Sequence, residues 1–491
     1  MHVGRLWPIT LCVLVGALML VSCRSMPAGT STASPFHPLN NAILLADNTA
    51  VDAQGQRHIE QEIFDYAFRL IEQAEQLVLL DMFLFNDFQG PNPETHRALA
   101  QELTQTLIAK KAAQPELPIV VITDPFNTLY GGISNTYLNQ LRTAGITVVL
   151  TKLTALPDSN PSWSALWRTC CQWFGNKADA GWLPNPVGDG KVTLRTYLAL
   201  INFKANHRKT LVVDEGDTWT ALITSANPHD GSSAHSNTAV VASGPIALTV
   251  LQSEQAVLEF SAPHVLTQTP WPAGTGPEAL EQQLSQQQQD TSARIQLITE
   301  GAIENALLAA INSAEAGEKL WLEVFYFSHI QLQRALVKAH QRGVEVNVIL
   351  DPNKDAFGRE KNGIPNRQVA RKLHQAGISV RWCNTHGEQC HSKWLLKQGK
   401  GEIELIMGSA NFTRRNLSDF NLETNVRLIA SQEEAVMRRA LALYQSRWNN
   451  QPFEGAQGER HYTVPYEAYE DNSRWRRFLY QVMERTGWSS F

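Results

Sequence analysis

Apolar and polar positions follow two rhythms along this chain, and the pair of rhythms occurs twice in the same order. The segment from Ile59, IEQEIFDYAFRLIEQAEQLVLLDMFLFND, opens with apolar residues at helical spacing and shifts to a short apolar run over residues 77–85. From Ile303, IENALLAAINSAEAGEKLWLEVFYFSHI does the same, with its run over residues 320–327. Each copy continues into a second helical stretch. A buried-strand run ending in Asp-Pro follows, PIVVITDP to Pro125 and VEVNVILDP to Pro352. Such alternation predicts α/β layers. The glutamine-rich stretch EALEQQLSQQQQDTS, residues 278–292, separates the copies. The predicted halves are therefore residues 41–277 and 294–491, joined by a polar linker at 278–293.

The beginning of the chain reads as an address. Arg5 precedes an uncharged apolar run over residues 6–22, short for a spanning helix of about 20 residues and suited to a secretory signal. It ends in Leu20-Val21-Ser22-Cys23, which resembles the bacterial lipobox. Residues 1–22 are thus the expected signal, Cys23 the expected lipidation site, and 23–40 a tether. That address implies anchoring in the bacterial envelope, facing the periplasm, with the outer membrane compatible with Arg24 after the cysteine.

Composition narrows the class. The 491 residues are 43% apolar and 18% charged, an ordinary globular balance that excludes a disordered or collagenous chain. The net charge of −5, with no long basic tract, counts against nucleic acid as a partner. Of six cysteines, Cys12 falls in the signal and Cys23 at the lipidation site. Cys170, Cys171, Cys383 and Cys390 remain, either for one or two bridges of open connectivity in an oxidising compartment or as free buried thiols. Their spacing is not a zinc pattern, and neither HExxH nor clustered carboxylates appear, so no metal or other cofactor is expected.

The repeat then reaches residues with chemistry. The first half contains Asn206-His207-Arg208-Lys209, followed by Asp214 and later Ser225-Ala226-Asn227; the second contains Cys390-His391-Ser392-Lys393 and later Ser409-Ala410-Asn411. His207 and His391, Ser225 and Ser409, and Asn237 and Asn421 are each 184 residues apart. Strand alternation places His207 with Lys209, and His391 with Lys393, on one face. Two halves facing each other would bring two imidazoles, two ammonium groups and two amides into one cleft. That set suits attack on a phosphodiester: one neutral imidazole as nucleophile, one protonated imidazole for the leaving oxygen, lysines and asparagines for the developing charge. An ordinary histidine pKa near 6.5 predicts both protonation states around neutrality.

At these residues the chain resembles the phospholipase D superfamily, marked by a duplicated His-x-Lys motif with Gly-Ser-x-Asn downstream. The stretch HSK…GSANFTRRNL…NLE is especially similar to bacterial phospholipase D and cardiolipin synthase-like members. The resemblance implies two α/β sandwich domains related by a pseudo-twofold axis within one monomer, with one shared active site. It implies a phosphohistidine on His207, His391 as general acid with the reverse roles open, and phospholipid at a membrane surface as substrate. Asp214 matches the aspartate of the motif, while Gln398 stands at its second occurrence, and Thr224 replaces the first glycine. Glu423, 32 residues beyond His391, matches a carboxylate that orients a histidine; the same offset from His207 gives Ala239, leaving Asp230 or another group to substitute. An envelope nuclease of the same superfamily and a silent lipid-binding relative are the alternatives.

His207 comes 83 residues after Asp124, whereas His391 comes 40 after Asp351, so the first half carries an insertion at about 153–195. Its Trp163, Trp167, Cys170 and Phe174 fall on one predicted helix face, either core or a lid that meets lipid. The C-terminal RWRRFLYQVMERTGWSSF is basic and aromatic, and is expected to pack on the domain. Asp124 and Asp351 are read as turn formers before proline, and His229, His235 and His386 stay outside the catalytic set.

Overall fold

The two copies in the sequence become two sheets with the same strand order. In the computed structural model, which describes residues 25–39, 41–285 and 292–489, the first sheet runs Arg57–Glu60, Ile43–Val51, Asn237–Ser243, Thr218–Thr224, Lys209–Glu215, Val78–Met82, Ile119–Thr123, Thr147–Leu150. The second runs His37–Pro38, Arg294–Thr299, Thr424–Ser431, Glu402–Gly408, Lys393–Gly399, Lys319–Val324, Glu345–Leu350, Ser379–Cys383, Thr463–Pro465. In each, the strand after the motif histidine lies antiparallel to the strand before the first crossover helix. Three strands of each sheet are parallel, because a helix returns the chain between them.

Burial on both sheet faces explains why these strands read as unbroken apolar runs. Along Lys209–Glu215, Leu211 and Val213 pack toward the helices of the first half, while Val212 packs toward the second half. The inner faces of both sheets, with helices Pro245–Ser261 and Ala435–Asn449, share one core; each outer face has its own core under its helices. The layering is helix, sheet, sheet, helix, the mixed α/β architecture of two sandwich units that the repeat predicts. A buried ion pair and a buried hydrogen bond knit the units: Arg208 of the first half pairs with Glu300 of the second at 2.8 Å, and Arg447 of the second donates to Asn48 of the first at 2.7 Å.

The signal segment and Cys23 lie outside the described residues, as do residues 286–291 of the glutamine-rich stretch; its residues 278–285 lie within the helix Pro277–Ser285. Part of the expected tether is built into the fold: Ala33 bridges Ile298, and His37–Pro38 pairs with Arg294 and Ile295 at the edge of the second sheet. Both cysteine pairs are bridged, Cys170 to Cys171 and Cys383 to Cys390. In the insertion, helix Pro161–Cys170 carries Trp163 and Trp167 and ends before Phe174, which is exposed; the predicted four-residue stripe is broken there. No helix of the described residues is long and apolar enough to cross a membrane.

Candidate active site

Each motif histidine is fixed by the opposite half. The N–H of His207 donates to the carbonyl of Leu422 at 2.9 Å, and the N–H of His391 donates to the carbonyl of Ser236 at 2.7 Å. Both bonds belong to short parallel bridges, Asn206 with Leu422 and Ser236 with Cys390. The residue after each of those carbonyls then presents its side chain to the ring. Glu423 lies 2.9 and 3.0 Å, through its two oxygens, from Nδ1 of His207. Asn237 Oδ1 lies 3.1 Å from Nδ1 of His391.

A carboxylate can only accept, so Nδ1 of His207 carries the hydrogen and the neutral ring keeps its lone pair on Nε2. The Asn237 amide donates from Nδ2 to the His235 carbonyl at 3.2 Å, which turns Oδ1 toward His391 and gives that ring the same polarity. The two serines brace these partners. Ser225 Oγ donates to Asn237 Oδ1 at 3.0 Å; Ser409 Oγ donates to Glu423, which also accepts from the Asn416 amide.

This geometry corrects the repeat as read from spacing. Ser225 N–H bonds the Thr238 carbonyl and Ser409 N–H bonds the Thr424 carbonyl, so the residue before each, Asn237 and Glu423, are counterparts. The 184-residue match of Asn237 with Asn421 is coincidental, because the chain from Asn227 to Asn237 is two residues shorter than from Asn411 to Glu423. Ala239 lies within the sheet core, and Asp230 accepts from the Ala100 N–H. Asn237 is therefore the substitute on the second imidazole.

The rest of the cleft keeps the pseudo-twofold pattern. Phe83 sits 4.8 Å from the His207 ring and Phe325 4.9 Å from the His391 ring, with Lys209 over the first at 5.2 Å and Lys393 over the second at 5.0 Å. Lys209 Nζ donates to the His207 carbonyl at 2.8 Å, and Lys393 to that of His391. Both histidines, Asn227, Asn411, Arg415 and His235 line one cavity of about 420 Å³. Burial pushes His207 down to about 4, with Glu423 opposing and Lys209 adding to the fall. Burial, with Lys393 next, holds His391 well below the usual range. Burial thus favours the neutral form of both rings, against the expectation that both protonation states coexist at neutrality. Burial also lowers Lys209 to about 7, and lowers Lys393 with Lys209 adding. These cations disfavour each other until an anion enters.

Residues 307–448 match the family model described as cardiolipin synthase, PLD-like domain. The crystal structure of phosphatidylserine synthase from Haemophilus influenzae Rd KW20 superposes with a TM-score of 0.56 at 12% identity, covering 92% of this chain and 95% of the other. The chain resembles the phospholipase D superfamily, with the family match lying over residues 307–448. Among curated relatives, the mitochondrial cardiolipin hydrolase of Danio rerio is 36% identical over 90 residues, 18% of this chain and 35% of that one. The Canis lupus familiaris protein of that name is 38% identical over 130 residues, 26% of this chain and 44% of the other. The chain spans less than half the length of these two relatives.

Against the superfamily pattern, three assigned residues lie off the reacting centre. Asp214 sits near the far end of its strand, where its carboxylate accepts the N–H groups of Glu75, Gln76 and Leu77 at 2.8–3.0 Å. It closes the turn after helix Ile63–Gln73, and is not part of the cleft. Ser225 and Ser409 act through Asn237 and Glu423. Glu423, placed by sequence behind His391, serves His207 instead, because the loop that carries it crosses to the first half.

Sequence reasoning left out three groups that border or brace this cleft. Asp124 accepts the Asn206 N–H at 2.7 Å and Asp351 the Cys390 N–H at 2.8 Å, so each holds the residue before a motif histidine. Their repeated place before proline was the available signal. His235 lies 5.8 Å from His391, ring to ring, and accepts the Gln389 N–H at Nδ1. Among the described residues, one group has metal-ligand proximity, Glu323 with Cys383 and Cys390, and those two sulfurs are joined to each other.

Proposed function

We propose that the protein cleaves or exchanges phosphodiester bonds of phospholipids through a phosphohistidine on Nε2 of His207. The observation that carries this reading is the Glu423 carboxylate on Nδ1 of that ring. When Nε2 bonds to phosphorus the imidazole gains positive charge, and the carboxylate offsets it. The bond from phosphorus to the headgroup oxygen breaks as protonated His391 gives its proton to that oxygen. An amide partner leaves the His391 imidazolium a stronger acid than a carboxylate partner would. The anionic substrate between Lys209 and Lys393 lets His391 take up that proton on binding. Water or an alcohol then gives a proton to His391 and attacks phosphorus, and the phosphorus–nitrogen bond breaks. Lys209, Lys393, Asn227 and Asn411 stabilise the non-bridging oxygens throughout.

Lipid is supported by the surroundings. Phe83, Phe325, Val187 and Leu200 give the cleft apolar walls. Nine of the ten large apolar side chains exposed among the described residues fall in two stretches: the insertion, with Trp173, Phe174 and Trp182, and the C-terminal region, with Trp475, Phe478 and Trp488. The two stretches meet where Trp488 donates to Ser162, and the second reaches the cleft through Arg415, which donates to the carbonyls of Gly487 and Ser489. Aromatic surfaces with arginines suit a lipid–water interface. In this reading the protein is an envelope lipoprotein held through Cys23, and Cys23→Ser releases it from membranes.

The test is headgroup release from phospholipid vesicles, with glycerol and ethanol as competing acceptors. His207→Ala and His391→Ala each abolish release while the protein stays folded. Near-wild-type release by either variant contradicts the shared site.

A further inference from the structure

The insertion of the first half builds a second cavity. It measures about 380 Å³ and is bordered by helix Pro161–Cys170, helix Leu194–Leu200 and the turn Leu153–Ala155. Tyr130 and Lys204 line both this cavity and the histidine cleft, so the two open side by side. Repetition of the catalytic unit does not require it, since the second half has no counterpart of the insertion.

Its charge is one-sided. Lys152, Arg168, Arg195 and Lys204 line it, against the single carboxylate of Asp158. Asp158 bonds Arg168 at 2.7 Å and Lys204 at 2.8 Å, so one negative charge answers four positive ones. Arg195 lies over the Trp167 ring at 3.9 Å and donates to the carbonyl of Phe174 at 2.8 Å, which holds its guanidinium in place without neutralising it. Nη2 of Arg168 is buried and has no hydrogen-bond partner. A buried guanidinium N–H left unpaired is costly, and an anionic oxygen in the cavity would satisfy it.

We infer that this cavity binds a second phosphate, that of a glycerol-linked phosphodiester lying beside the one at the histidines. The inference rests on the histidine cleft being a phospholipid phosphodiesterase. The phosphate has two possible sources of the same chemistry. It is the second phosphate of a bis-phosphate lipid being cleaved, or the headgroup phosphate of an anionic lipid that accepts the phosphatidyl group.

The experiment uses the full chain and short-chain lipids below their micelle-forming concentrations, so surface binding does not enter. Three reactions are followed: hydrolysis of cardiolipin, transfer from phosphatidylcholine to phosphatidylglycerol, and hydrolysis of phosphatidylcholine. In Arg195→Ala and in Lys152→Ala/Arg195→Ala, KM for cardiolipin or for phosphatidylglycerol rises about tenfold with kcat unchanged, as loss of a charge-assisted contact predicts. Phosphatidylcholine hydrolysis is unchanged, and Arg195→Lys retains most of the affinity. A rise for cardiolipin assigns the site to the donor, and a rise for phosphatidylglycerol assigns it to the acceptor. Equal effects on all three reactions, or none on any, overturn the second phosphate site. A wild-type protein inactive in all three overturns the phosphodiesterase reading beneath it, a result distinguishable from the others.

Discussion

Asn237 holds its Oδ1 3.1 Å from Nδ1 of His391, at the place where the other half sets the carboxylate of Glu423 on His207. The two imidazoles are thus matched in position and mismatched in charge. In the proposed mechanism, a pseudo-twofold site broken at this point has one ring that carries positive charge and one that sheds a proton. This mismatch divides the roles that an exact duplication would leave degenerate.

Glu423→Gln keeps the hydrogen-bond geometry and removes the charge from behind the nucleophile. Turnover falls about 10²- to 10⁴-fold, the range seen when a histidine's orienting carboxylate is neutralised. Steady-state headgroup release, with folding checked by circular dichroism, measures it. Loss of less than a few-fold would mean that Glu423 only orients the ring.

Asn237→Asp supplies the missing carboxylate. The imidazolium of His391 becomes more stable, its pKa rises, and proton donation weakens. The pH optimum of kcat/KM moves upward and kcat at that optimum drops. An unshifted profile would show that His391 is not the acid.

His207 titrates near 4 in the folded protein, against about 6.5 for an ordinary histidine. Because the folded pKa is depressed, the neutral ring contributes stability above about pH 6.5, and that contribution is lost as pH falls toward about 4. Nitrogen-15 NMR of labelled imidazoles detects this: the His207 signal stays neutral at pH 5.5, where exposed histidines are charged. A His207 resonance titrating near 6.5 would contradict the burial argument.

Asp214→Asn tests the correction to the motif aspartate. Its carboxylate holds three backbone N–H groups and touches nothing in the cleft. Stability falls by about 1–3 kcal/mol with kcat unchanged. Denaturant unfolding and turnover on the same sample separate the two effects, and a selective loss of kcat would return Asp214 to the chemistry.

The parts of this architecture that were legible in the sequence are those carried by local periodicity. Apolar runs ending in Asp-Pro, and two His-x-Lys pairs ahead of apolar strands, predicted both sheets and the cleft that unites His207, Lys209, His391 and Lys393. What crosses between halves was not legible. Nothing in the spacing of Glu423 from His391 tells that its loop pairs with Asn206 and reaches His207. Asn237 was hidden by a loop two residues shorter than its counterpart, which aligned it with Asn421 in number and with Glu423 in space. Asp124 and Asp351 do form the turns expected of Asp-Pro, and their second bonds, to the residues before the histidines, depend on strands distant in sequence.

The most direct test of the account is to identify the residue that carries the covalent intermediate. Protein mixed with a short-chain phospholipid is quenched in alkali, where phosphoramidates survive, and its peptides are mapped by mass spectrometry. The account predicts a phosphatidyl adduct on His207, formed in the wild type and absent from His207→Ala. An adduct on His391, or turnover with no adduct on either histidine, would contradict it.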